Sequence, residues 1–219
     1  MSTLRVEFHS HTDASKDSLT SPESLLAACR DKGLDRIVVT DHNSIAGALR
    51  SQALDAQRVI VGEEIMTRQG ELLVAFLQEE VPAGLDCMEA IARLRVQGAF
   101  ISVAHPFDIL RSGHWELSDL EKIAPLVDAI ETYNARCMWP GFNRQAQEFA
   151  RQHDLPGTAG SDAHTPFEVG KASLILPSFH DAESLKAVIR QGQPRVSLSA
   201  PWVHLTSRYA SWRKKQDKT

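Results

Sequence analysis

A barrel-type α/β fold built on a parallel sheet is the class this sequence predicts, and three observations predict it. Strand-like and helix-like segments alternate almost from end to end. No internal repeat or low-complexity linker interrupts them. Histidines and carboxylates recur directly after successive strand-like segments, and residues at the C-terminal ends of parallel strands converge on one pocket in a barrel. A doubly wound open sheet is the structural alternative.

The elements follow in order. Arg5 to Phe8 reads as a strand. Ser21-Pro22-Glu23 then opens a helix, with Ser as N-cap, Pro at the first helical position and an acid in the first turn. That helix buries Leu25, Leu26, Ala28 and Cys29 and stops at Gly33. Ile37 to Thr40 is a short β-branched strand, and a small helix follows near Ile45 to Leu54. Val59 to Val61 is a third strand, and Glu71 to Leu77 a fourth, paired with it through a turn at Gln69-Gly70. Asp86 to Gln97 carries Met88, Ile91, Ala92 and Leu94 at amphipathic helix spacing and ends at Gly98. Phe100 to Ala104 is a strand, Asp119 to Ile123 a helix, Val127 to Thr132 a strand and Phe142 to His153 a helix. Pro156 to Ala159, Ser173 to Leu176, Ala182 to Gln191 and Arg195 to Leu198 complete the unit.

The chain has 219 residues, enough for one domain with a sizeable core. The barrel is expected over residues 1–200 and a basic tail over 201–219. The tail holds Arg208, Arg213, Lys214, Lys215 and Lys218 beside Tyr209 and Trp212, and reads as solvated, with nucleic-acid contact as the alternative. The net charge of -4 gives no whole-chain nucleic-acid or membrane signal. No apolar run is long enough to span a bilayer, and the N-terminus lacks a signal-peptide core. Cys29, Cys87 and Cys137 are odd in number and widely spaced, which argues against a disulfide framework and for a reduced, cytoplasmic protein. No obligate protein partner is evident.

Five of the nine histidines carry the chemical signal: His9, His11, His42, His105 and His164 each follow a strand, whereas His114, His153, His180 and His204 do not. Residues two apart on a strand face the same side, so His9 and His11 can aim at one metal ion. One such pair is weak evidence; its repetition at one end of successive strands is strong. Glu63, Glu64 and Asp162 follow other strands, and Asp13 and Asp17 lie in the loop after His11. A His/Asp/Glu set without thiolates suits Zn, Mn, Fe or Mg and leaves positions open for water. Clustered cations of this kind activate water and neutralise a phosphoryl group, so metal-assisted hydrolysis is the implied chemistry. Arg111 can grip a phosphate with its fork or pair with Asp108; Arg136 has the same two readings. Asp41 is expected to orient a histidine, and Glu63 to be a charge on the barrel rim.

His9-Ser-His11-Thr12, Thr40-Asp-His42-Asn43, Gly62-Glu-Glu64, Ala104-His105-Pro106 and Gly160-Ser-Asp162-Ala-His164 resemble, in order, the motifs of the PHP (polymerase and histidinol phosphatase) family, over about residues 5–200. The resemblance implies a distorted (β/α)7 TIM-like barrel with two or three divalent metal ions. It implies that His9, His11, Glu64 and Asp162 hold a first metal and that Glu64 bridges to a second shared with His105. His42 and His164 hold a third with Asp17, although many members place that acid where this chain has Lys16. Where some members have a histidine after the sixth strand this chain has Asn134, a weak oxygen ligand or a substrate contact. The expected function is a phosphoesterase in which metal-activated hydroxide attacks phosphorus, with Arg111 on the phosphate. Its substrate is a small phosphate ester, a nucleotide or a short oligonucleotide. Two alternatives stand beside it. An amidohydrolase-type C–N hydrolase also begins with His-x-His, but places a bridging lysine at a middle strand, and none sits at a strand end between His42 and His105. A non-catalytic metal-binding scaffold is the other.

Overall fold

A computed structural model of the chain describes residues 2–216. In chain order its elements are β1 (Thr3–Glu7), α1 (Pro22–Asp31), β2 (Arg36–Val39), α2 (Ala46–Leu54), β3 (Val59–Met66), β4 (Glu71–Ala75), α3 (Cys87–Val96), β5 (Phe100–Val103), α4 (Leu117–Ile123), β6 (Ala129–Asn134), α5 (Pro140–Gln152), β7 (Gly157–Gly160), β8 (Ala172–Pro177), α6 (Ala182–Val188), β9 (Gln193–Val196) and α7 (Val203–Gln216). Local chemistry sets their ends. Ser21 caps α1 by accepting from the Ser24 N–H, Asp86 caps α3, and Asp181 closes a capping box on α6. Gly33 and Gly98 take the left-handed turn after α1 and α3, at φ of 65° and 69°.

The strands form one sheet in the order β7-β6-β5-β4-β3-β2-β1-β8-β9. Its β7 edge curls round to β1, where Phe8 N donates to Ala159 O at 3.3 Å. Beyond β1, Ser10 bridges Ala163 in parallel, and Asp162 N donates to His9 O at 2.9 Å. The segment after β1 thereby joins the segment after β7, which makes a nearly closed barrel and sets aside the open sheet. The hairpin expected at Gln69-Gly70 is present, and the parallel sheet expected elsewhere is corrected at β8 and β9. β4 runs antiparallel to both β3 and β5, because Thr67 to Gly70 is too short to cross the sheet, and β8 and β9 are antiparallel as well.

Alternation along the strands divides the core. Ile37 and Val39 of β2 join the cluster beneath helices α1 to α5, while Val38 joins Val6, Phe8, Ile60 and Phe100 on the opposite face, where α6 packs. The segment expected to be a solvated tail is instead α7, with Val203 and Ala210 buried; Lys218 lies outside the described residues. Arg136 donates to Val203 O and Ser207 Oγ, and Lys214 donates to Asp13 O and Ser15 O, so Lys214 sits against the barrel mouth while Arg208, Arg213 and Lys215 are exposed. No helix among the described residues is long and apolar enough to cross a membrane.

Candidate metal centre

The polar ends of the strands meet at one end of the barrel. Glu64 is 1% exposed and central. Its Oε1 lies 3.0 Å from His105 Nε2, and its Oε2 lies 2.9 Å from His42 Nδ1, 3.3 Å from His9 Nε2 and 3.4 Å from His11 Nε2. His9 Nε2 and His11 Nε2 approach to 3.1 Å, and Asp162 Oδ1 lies 3.1 Å from the latter. The Asp17 carboxylate spans His42 Nε2 at 3.6 Å and His164 Nε2 at 3.2 Å.

Backbone geometry positions these groups. His105 and Asp162 take positive φ, 23° and 54°, just where their strands end. That conformation is costly for His105 in particular, and it is held by its N–H donating to Glu131 Oε2 at 2.9 Å. Asn43, at φ 52°, turns the chain after His42, and its side-chain carbonyl accepts from Met66 N. Asp41 acts as expected of an orienting residue: it accepts from Thr12 N at 2.7 Å and from Ser15 Oγ at 2.6 Å, and that hydroxyl stands 3.0 Å from His11 Nδ1.

Electrostatics binds the cluster together. Burial opposes the Glu64 charge, yet His9, His42 and His105 hold its carboxyl well below the usual range. Burial likewise opposes charge on Asp162, which Arg111 and His9 overcome. The His9 imidazole is disfavoured as a cation by burial but held well above its ordinary value by Glu64, Glu131 and Asp162. His11 is pushed down to about 4 by burial, with His164 and His42 adding repulsion. Four overlapping groups bring ligand atoms within 4.8 Å of one another: His11/His42/His164, His9/His11/Glu64, His9/His105/Glu131 and His42/Glu64/Glu71. Asp17 Oδ1, Glu64 Oε2, Asp162 Oδ1 and His164 Nε2 are buried without a hydrogen bond of good geometry. Buried acceptors aimed at a common space fit a divalent cation of N/O preference.

A model of the PHP domain matches residues 7–117, slightly more than half of the chain. This chain belongs to the PHP domain family. A second model, described as PHP-associated, matches residues 140–194. An uncharacterized Methanocaldococcus jannaschii protein, MJ0417, is 36% identical over 174 residues, covering 78% of this chain and 70% of that protein. Among solved structures, PsfC from Pseudomonas syringae superimposes with a TM-score of 0.72 at 18% identity, over 97% of this chain and 99% of that one. A two-domain Bacteroides vulgatus protein containing a predicted PHP-like metal-dependent phosphoesterase gives 0.71 at 21% identity, over 89% of this chain and 65% of that one. These likenesses establish the PHP fold.

Within this PHP barrel the sequence-derived residues divide. His9, His11, Asp17, His42, Glu64, His105, Asp162 and His164 come together as described. Asn134 stands beside the centre: its carbonyl accepts from Arg136 N at 2.9 Å, and its amide donates to Glu131 and Asp162. Arg111 turns its fork on carboxylates, 2.5 Å from Asp162 Oδ2 and 3.1 Å from Asp108 Oδ2. Arg136 pairs with Glu168 at 3.0 Å and approaches His164 Nδ1 at 2.6 Å. Asp13 pairs with Arg50. Glu63 is no rim charge: it is fully buried on the face opposite Glu64, accepts from Val81 N at 3.0 Å, and burial pushes its carboxyl up to about 8.

Two acids at the site were not anticipated. Glu131 holds His9 Nδ1 at 2.9 Å while it caps His105 N. A carboxylate inside the apolar run Ala129-Ile130-Glu131 was the available signal, since a buried charge needs partners. Glu71 lies 3.6 Å from His105 Nε2 and 3.9 Å from His42 Nδ1. It starts β4, and because β4 is antiparallel its first residue stands at the same end as the last residues of β3 and β5.

The centre opens on a cleft of about 360 Å³ lined in part by Asp17, His42, Glu71, Arg111 and Arg136, with His204, Ser207 and Arg208 of α7 on its far wall. A groove of about 720 Å³ continues past His42 between Lys16 and the end of α7 at Lys214 and Lys215. His204 was not expected there, because nothing in a basic tail shows where it folds.

Proposed function

We propose that this PHP protein is a metal-dependent phosphoesterase acting on a small phosphate ester, a nucleotide or a short oligonucleotide. The observation that carries the reading is Glu64 buried among four histidines, with Asp162 and Asp17 closing the set and several acceptors left unpaired. His9, His11, Glu64 and Asp162 would hold one cation, Glu64 and His105 a second, and His42, His164 and Asp17 a third. Divalent cations in those positions supply Lewis acidity, activation of water and neutralisation of phosphate oxygens.

The chain's own residues do the rest. Glu131 fixes the His9 ring through Nδ1, which leaves Nε2 aimed into the centre. Ser15 and Asp41 do the same for His11. Arg111 lines the cleft beside Asp162, so an entering phosphate competes for its fork and is oriented by it. The cleft suits a small ester; the adjoining groove with its lysines accommodates a longer phosphorylated chain. A carboxylate, Glu64, occupies the central position that the amidohydrolase alternative assigns to a lysine.

The test is phosphate release by protein reloaded with Mn, on a panel of a phosphomonoester, a phosphodiester, a nucleoside bisphosphate and a 5′-phosphorylated oligonucleotide. Asp162→Ala and His105→Ala should abolish turnover with circular dichroism unchanged. Full activity in both variants would sink the assignment. No turnover by metal-loaded wild type would favour the scaffold reading.

A further inference from the structure

Helix α7 is the last described element, yet it reaches the metal centre's first loop. His204, Ser207, Arg208, Ser211, Lys214 and Lys215 recur at helical spacing and form the face toward the two clefts. From that face Lys214 Nζ donates to two backbone carbonyls of the loop after β1, Asp13 O at 2.5 Å and Ser15 O at 2.6 Å. Ser15 is where the loop meets the centre. Its hydroxyl donates to Asp41, stands 3.0 Å from His11 Nδ1 and accepts from His42 N at 3.1 Å. Two residues on, Asp17 spans His42 and His164. The start of α7 is tied to the same place: Arg136 donates to Val203 O and Ser207 Oγ while its other terminal nitrogen lies 2.6 Å from His164 Nδ1.

We propose that Lys214 is a positioning residue for the metal position formed by Asp17, His42 and His164, and that α7 thereby sets the occupancy of this position without contributing a ligand. The proposal rests on the metal-centre reading above. An ammonium clasped by two carbonyls pays part of the ordering entropy of the loop before any cation arrives. Without it, cation binding must order Asp17 itself, and affinity falls. Lys214 has no hydrogen bond to His9, His105, Glu64 or Asp162, and the loop it clasps carries Asp17, so the effect is largest at the outer position and reaches His11 only through Ser15.

The experiment counts metal. Wild type, Lys214→Met, Lys214→Arg and Trp212→Ala are stripped with chelator, titrated with Mn, and analysed for bound Mn and for the spin-coupling signature of the cluster by electron paramagnetic resonance. Thermal melts of the stripped proteins check the fold. Trp212 is 55% exposed on α7 and lines neither cleft, so its variant controls for general disturbance of the helix. Lys214→Met is expected to bind one cation about tenfold less tightly while the others change far less, with Lys214→Arg close to wild type and Trp212→Ala identical to it. Wild-type Mn affinity throughout in Lys214→Met overturns the proposal, and so does equal weakening of every cation. If wild type takes up no metal, the metal-centre reading itself has failed, a distinct result.

Discussion

Glu63→Gln should change how stability depends on pH, and the structure sets the size of the change. Glu63 is fully buried on the helix-facing side of β3, opposite Val74 of β4. One carboxyl oxygen accepts from Val81 N and the other has no partner. Burial, reinforced by the charge of Glu80, raises its value from 4.5 to about 8. Between those two values the unfolded chain carries the ionised acid and the folded chain the protonated one. The folded state therefore binds more protons, and stability falls as pH rises. With 1.36 kcal/mol per unit, the limiting loss is about 5 kcal/mol, complete above pH 8. Glutamine keeps the shape and the acceptor but cannot ionise. Its extra buried donor costs a constant amount at every pH, so only the slope reports on Glu63. Urea unfolding of the metal-free proteins at pH 4 to 8 is the assay. The difference between variant and wild type should be flat below pH 4.5, then move in favour of Glu63→Gln up to pH 8. Parallel stability curves across that range would refute the reasoning.

Three further outcomes follow from the same geometry. Loading the centre with a cation at 100 times its dissociation constant should stabilise the fold by about 2.7 kcal/mol, or roughly 5–11 °C in a thermal scan, reversed by chelator. Gly160→Ala would set a Cβ onto the His9 Cβ and 2.8 Å from Glu131 Oε1, so a loss of about 1–3 kcal/mol in urea unfolding and weaker Mn binding are expected. Arg111→Lys keeps the charge but not the fork, and should raise KM for phosphate esters about tenfold with bound Mn unchanged, as steady-state kinetics and metal analysis would show.

Much of the site was legible because strand alternation and strand ends are local properties. His9, His11, His42, Glu64, His105, Asp162 and His164 each follow or end an apolar strand, and the barrel does bring them together. Asp17 needed the family likeness to be singled out, and it does span two of those histidines. Glu71 was missed because the reading looked only at the C-terminal ends of strands, and a hairpin puts an N-terminal end in the same place. Asn134 was singled out by the family likeness, and Glu131 was missed because its partners, His9 and the His105 N–H, lie on other strands. Arg111 is the ambiguous case: both of its proposed partners were carboxylate or phosphate, and the structure displays the carboxylates.

The order of elements, the buried stripes, the helix caps and the polar strand ends are dictated by the sequence itself, because each depends on neighbours a few residues away. Barrel closure through Ser10 and Ala163, the antiparallel pairing of β8 with β1, and the folding of a basic segment into a helix across the mouth were decided only in three dimensions. Those features depend on hydrogen bonds and packing between residues far apart in the chain, as in the clasp of Lys214 on the first loop, 201 residues from Asp13.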